Sequence, residues 1–323
     1  MSEPQPIVLM GSVPPPAAAP SPLMRWWARL KPRGTSLVTS VPYLWLLLFF
    51  LLPFIIVLKI SFSDTRIAMP PYQPLFSWGA DQVLQIKLYL SNFAFLVQDN
   101  LYWQSYLTSI TVAGISTLFC LLIGYPMAYA IARSNPATRN ILLLLVILPF
   151  WTSFLLRVYA WIGLLKNNGF INQALMGLGL IDEPIQMLQT DFAVYVGIVY
   201  SYLPFMILPL YANLEKMDLT LLEAAADLGS RPRQAFMKIT LPLSLPGIVA
   251  GCLLVFIPAV GEFVIPDLLG GTNTLMIGKV LWDEFFLNSD WPLAAAVAIC
   301  LLVLLVGPIA LFQRQQAKNL ERQ

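Results

Sequence analysis

Six stretches of the chain are apolar over about 20 or more positions, and short polar segments rich in proline and charge separate them. Crossing about 30 Å of hydrocarbon takes about 20 helical residues, so each stretch reads as a membrane span. They run near Val41 to Ile60, Ser105 to Ala132, Asn140 to Leu165, Phe192 to Ala212, Leu245 to Asp267 and Pro292 to Phe312. The predicted fold is an all-α integral membrane protein of six transmembrane helices. Between the fourth and fifth stretches, from Leu219 to Pro242, the pattern changes. Leu219, Leu222, Ala225 and Ala226 fall on one face of a short helix, and Phe236 and Ile239 share a face of a second. Thr220 with Glu223 three residues on has capping-box form. Gly229 supplies a left-handed turn, Ser230 with Pro232 opens the second helix, and Pro242 is expected to break the chain before the next apolar run. The segment reads as a helical hairpin, lying on the bilayer or against a partner.

Composition agrees with a membrane solvent. Charged residues make up 11% and hydrophobic ones 58%, against roughly 25% and 45 to 50% in soluble domains. Lys and Arg resist export and collect on the cytoplasmic side. With the N-terminus inside, 13 of the 19 basic residues fall in cytoplasmic segments, Arg231, Arg233 and Lys238 of the hairpin among them. Both termini are therefore expected inside. Of the 17 acids, 11 lie outside or in the outer half of a span, an excess that should draw cations to that side.

Residues 1–40 form a separate region. Pro14 to Pro16, Ala17 to Ala19 and Pro20 offer too few packable side chains to fold alone, so disorder is expected. Arg25-Trp26-Trp27-Ala28-Arg29-Leu30-Lys31 mixes aromatics with bases as a juxtamembrane anchor does. The first span is long for a signal-peptide core and lacks an A-x-A-like cleavage site, so it is expected to remain. Residues 41–312 make the membrane domain, with the hairpin at 219–242, and 313–323 a second cytoplasmic tail.

Several chemistries are disfavoured. Histidine is absent, which removes the commonest general base and metal ligand. Cys120, Cys252 and Cys300 sit singly inside apolar spans and read as small buried hydrophobes. Gly278-Lys279 is the nearest fragment to a phosphate-binding loop, but it lacks the earlier glycine, and Val280 follows where Ser or Thr is required. Any ATP must be hydrolysed by another chain, and no cofactor or metal site is expected in this one. Nothing in the sequence suggests a nucleic-acid partner.

The intramembrane polar residues are the candidates for a pathway. Glu262 lies among Pro258, Gly261 and Pro266 in the outer half of the fifth span, where an ionisable group is costly unless paired or hydrated. Arg157, at a similar count into the third span, is either its salt-bridge partner or a second pathway group. Trp151, Tyr159, Trp161 and Trp282 offer aromatic faces to a cation or anchor the spans at the interface. Trp151, beside Pro149, is the first of these to consider, and Asp267 closes the fifth span. Ser109, Ala113, Gly114 and Ser116 are expected to allow close helix packing.

The run Glu223-Ala224-Ala225-Ala226-Asp227-Leu228-Gly229 followed by Ile239-Thr240-Leu241-Pro242 resembles the EAA loop of bacterial ABC-importer permeases. Leu148-Pro149-Phe150-Trp151-Thr152-Ser153-Phe154 through Trp161, and Phe256 through Gly271, resemble segments of the putrescine/spermidine permeases, in particular the longer first permease of putrescine systems. The likeness runs from about Pro42 to Phe312. It implies a type I, MetI-like permease of a bacterial inner membrane that hydrolyses nothing itself. It also implies a second, different permease subunit, a cytoplasmic ATPase dimer using ATP and Mg, and a periplasmic polyamine-binding protein. On that likeness Glu223, Ala224, Ala225, Asp227 and Gly229 would meet the ATPase, and putrescine is the first-expected cargo, with spermidine next. The residues alone leave open a secondary transporter of a cationic solute, an assembly subunit, or an ABC permease for another substrate.

Overall fold

The computed structural model describes residues 34–78, 84–271 and 274–320. The Pro-rich stretch and the Arg25 to Lys31 anchor lie outside the described residues. The chain falls into two units, Met1–Ile56 and Val57–Gln323. Helix α1 (Gly34–Leu46) begins within the region read as tail and continues through a π turn (Leu47–Leu51) into α2 (Leu52–Ser61), which runs past the division at Ile56. The stretch Val38–Ser61 buries none of its most apolar window, as suits a helix whose solvent is lipid.

After α2 comes a β-hairpin that the all-α expectation did not include, since its two three-residue apolar-polar-apolar runs are too short to stand out. β1 (Phe76–Trp78) pairs antiparallel with β2 (Leu84–Ile86), Ser77 opposite Gln85. Then come α3 (Ser91–Gln98) and α4 (Asn100–Arg133), where Asp99 accepts the Leu101 N–H at 2.9 Å. Next are α5 (Pro136–Ile147), α6 (Phe154–Leu165), α7 (Phe170–Gly177), α8 (Asp191–Glu215) and α9 (Thr220–Asp227). α10 (Pro232–Val260), α11 (Val264–Leu269), α12 (Ile277–Trp282) and α13 (Trp291–Leu320) complete the order.

α4, α8 and α10 pack on one another, with Cys120, Ala128, Met206, Ile207, Leu210 and Val255 buried between them. Ser109, Ala113 and Ser116 are buried as their small size allows, whereas Gly114 faces outward. Ser109 also accepts the Ile277 N–H at 2.8 Å, which fixes the start of α12 against α4. The free Cys120 is buried, and Cys252 and Cys300 are half-buried.

The spans are less regular than six straight helices. Among the described residues, four helices are long and apolar enough to cross a bilayer, or five if the bent pair is one span. α13 adds a shorter apolar helix over Trp291–Gly307. The third expected span is not straight: Pro136–Trp151 and Phe154–Gly177 meet at 91°. Pro149 has no N–H to give the helix, Thr152 is extended, and its hydroxyl donates to the Pro149 carbonyl at 2.7 Å, so the chain turns there. The fifth stops at Val260 rather than Asp267, and Glu262 sits in the break before α11. Pro242, expected as a breaker, lies inside the continuous α10. A π turn over Phe236–Thr240 shifts the ladder, the Leu241 N–H reaching the Phe236 carbonyl, and accommodates the missing donor.

Candidate functional site

Two places gather the residues singled out by sequence. The first is the hairpin of α9 and the start of α10. Gly229 has φ +77°, a left-handed conformation that L side chains resist. Its N–H donates to the Ala226 carbonyl at 2.8 Å, and the Ser230 N–H to that of Ala225 at 2.9 Å. That pair of bonds is the Schellman stop of a helix. At the other end Thr220 and Glu223 do not cap α9; Asp218 does, accepting the Thr220 N–H at 3.0 Å. The second helix opens at Pro232, with Arg231 rather than Ser230 in the capping position.

Ala225 is buried and Leu222 half-buried against the rest of the chain, while Glu223, Ala224, Asp227 and Leu228 are exposed. The inward face is braced by Phe236, whose ring meets Tyr125 and Tyr129 of α4 edge-on at 5.7 and 6.1 Å. Between the two helices and Tyr129 lies a cavity of about 230 Å³. Close by in sequence, Arg139 of α5 pairs with Glu215 at the end of α8 at 2.5 Å. The hairpin is thus a small stiff element held to α4, with a polar face left open.

The second place is a cavity of about 460 Å³ lined by Phe150, Phe154, Arg157, Tyr202, Phe205 and Glu262, among others. Its geometry follows from the two helix breaks. The 91° turn aims the first turn of α6 at α8, and the stop of α10 leaves Glu262 free to cap α11. Glu262 Oε1 accepts the N–H groups of Phe263, Val264 and Ile265 at 3.2, 3.0 and 3.4 Å. Its Oε2 accepts the Tyr202 hydroxyl at 2.5 Å, in the range of a charge-assisted bond. Beneath it the backbone of α12 comes so close that a Cβ on Gly278 would lie 2.4 Å from the Gly261 carbonyl oxygen. Glycine is needed there for space.

Arg157 faces the same cavity without an ion pair. Its Nε and Nη1 are buried and lack a hydrogen-bond partner, and its guanidinium lies 5.1 Å from the Phe150 ring centre and 5.6 Å from that of Phe154. Of the two readings of Glu262 and Arg157, the salt bridge is not formed in this structure. Both charges enter from bent helices, so matching counts along straight spans did not fix their approach. Phe205 meets Phe150 edge-on at 5.2 Å, and with Tyr202 completes a ring of aromatic faces around one carboxylate.

The other pathway candidates lie elsewhere. Trp151 and Tyr159 are 72% and 57% exposed and do not line this cavity. Trp161 packs edge-on against Tyr200 at 5.4 Å, and Trp282 stacks on Phe263 at 4.5 Å. Asp267 pairs with Lys279 at 2.9 Å, and Lys279 also reaches Asp283 at 2.8 Å. The hydrogen bond Lys279 donates to Asp283, and then that to Asp267, raise its pKa above the ordinary value, so its charge is secure. Sequence reasoning missed Tyr202, Phe205 and Asp218. Tyrosine and phenylalanine inside a span give no signal until a partner is placed beside them.

Residues 120–320 match the model of a family described as binding-protein-dependent transport system inner membrane component. The chain belongs to that family. Among curated members, the spermidine/putrescine transport system permease protein PotB of Haemophilus influenzae is 41% identical over 279 residues, covering 86% of this chain and 93% of the relative. PotB of Escherichia coli K12 is 41% identical over 261 residues, covering 81% of this chain and 90% of the relative. The solved structure of a bacterial ABC transporter that imports alginate superposes a subunit at TM-score 0.67 and 19% identity, over 91% of this chain and 99% of that one. At that identity the likeness establishes the helical fold alone, and it is the family match that makes the chain a multi-pass component of the inner membrane. As a member of the family the chain is a transport subunit and not an enzyme, and ATP is used by a separate partner.

Proposed function

We propose that this chain is one permease subunit of an ATP-driven importer that carries a polyamine, putrescine or spermidine, from periplasm to cytoplasm in a bacterium. The observation that carries the reading is 41% identity across 86% of the chain to a permease named for spermidine and putrescine. The cavity of Glu262 and its aromatic neighbours adds chemistry that suits a cationic amine. The α9 hairpin is the seat of an ATPase dimer that uses ATP and Mg, with exposed Glu223, Ala224 and Asp227 toward the partner and Ala225 turned inward. A second, different permease completes the pathway, and a periplasmic polyamine-binding protein delivers the cargo. Both termini are cytoplasmic, residues 41–312 form the membrane domain, and the 1–40 and 313–323 segments lie on the cytoplasmic side. Purifying the tagged chain from native membranes tests the assembly: an ATPase and a second permease should co-purify, and recovery of this chain alone would refute it.

A further inference from the structure

Two opposite charges line the cavity between α6, α8 and the break after α10 without pairing. Glu262 is anchored by three backbone N–H groups on Oε1 and by Tyr202 on Oε2. Arg157 is parked over the rings of Phe150 and Phe154 with two N–H groups unsatisfied. A guanidinium and a carboxylate that line one cavity attract each other, yet these two do not pair. Of the four bonds to Glu262, three come from its own next residues and follow the carboxylate wherever the α11 break goes. Among the described residues, the Tyr202 hydroxyl is the one hydrogen-bond partner of Glu262 carried by another helix, and it sets which way Oε2 points.

We propose that Tyr202 is a positioning residue for transport, holding Glu262 open to a substrate ammonium and out of reach of Arg157. A carboxylate has about four acceptor positions, so Oε2 keeps one for an ammonium while it accepts from Tyr202. Arg157 is then the competitor: a tethered cation that takes Glu262 when the tyrosine lets go and so expels the amine. The inference rests on the polyamine reading given above and deepens it by naming the group that orients the site.

The test uses the complete transporter in proteoliposomes, with labelled putrescine delivered by saturating binding protein. Wild type must first accumulate putrescine on ATP; if it does not, the substrate reading fails and not this one. Tyr202→Phe, in a complex that still assembles, should lower accumulation about tenfold, the scale of a lost hydrogen bond to a charged group. Adding Arg157→Gln should bring it back to within about threefold of wild type, because the competitor is gone; a merely structural tyrosine gives no such rescue. Uptake by Tyr202→Phe within about twofold of wild type, or a loss that Arg157→Gln leaves in place, overturns the proposal. Should Tyr202→Phe fail to assemble, Phe150→Leu frees the guanidinium from its ring and tests the same competition. Its uptake should fall severalfold and recover with Arg157→Gln, and no fall, or no recovery, overturns it.

Discussion

Glu262 does two things at once: it caps α11 across the helix break, and it presents a carboxylate to a cavity. Glu262→Gln keeps the shape and one acceptor oxygen but removes the charge. Assembly should survive, and putrescine uptake should fall by about tenfold, the scale of a hydrogen bond to a charged group. Since Arg157 forms no ion pair with it, Arg157→Gln should not rescue Glu262→Gln; full rescue would restore the salt-bridge reading. Glu262 and Arg157 were legible in the sequence because ionisable groups stand out against apolar spans. Trp151 and Tyr159 were legible as aromatics and yet lie outside the cavity, because the turn at Thr152 and Ser153 points that part of the chain outward. Tyr202 was not legible, since its meaning is one hydrogen bond across two helices.

The hairpin was the most legible element because its stop signals are local: the positive φ of Gly229 depends on a glycine and two backbone bonds. Nothing lies within 4 Å of a Cβ built there, so the effect of substitution is backbone strain and not a clash. Gly229→Val should cost about 1 to 3 kcal/mol locally, leave membrane insertion intact, and reduce co-purified ATPase and uptake; Gly229→Asn, which tolerates the left-handed region, should retain most of both. Glu223→Lys, on the exposed face, should weaken docking by charge alone, and normal docking and uptake in both Gly229→Val and Glu223→Lys would remove the hairpin's coupling role. Phe236→Ala withdraws the ring that Tyr125 and Tyr129 clamp, so hydrolysis should continue while uptake per ATP falls. Measuring both rates on one preparation checks it. The capping of α9 by Asp218 and the π turn that carries α10 past Pro242 escaped the reading, because each replaces a standard motif with a neighbour that satisfies the same backbone group.

Across the described residues, hydropathy located each long apolar helix, but it could not see that Pro149 and the Gly261–Phe263 break divide two of the windows. Length and apolar content say where a chain is oily, and only the backbone groups decide where it bends. The charge bias predicts orientation: a single cysteine at Ser230 should be labelled only in permeabilised cells, and one at Ser77 in intact cells. The reverse pattern would invert the assignment of the hairpin to the ATPase side. The account as a whole stands on one energetic claim, that ATP hydrolysed by a partner drives a polyamine through this chain. Putrescine uptake by proteoliposomes of the purified complex, with ATP enclosed and with a proton uncoupler added, measures it directly. Accumulation should require ATP and persist with the uncoupler; accumulation without ATP that the uncoupler abolishes would make the protein a secondary transporter and contradict the account.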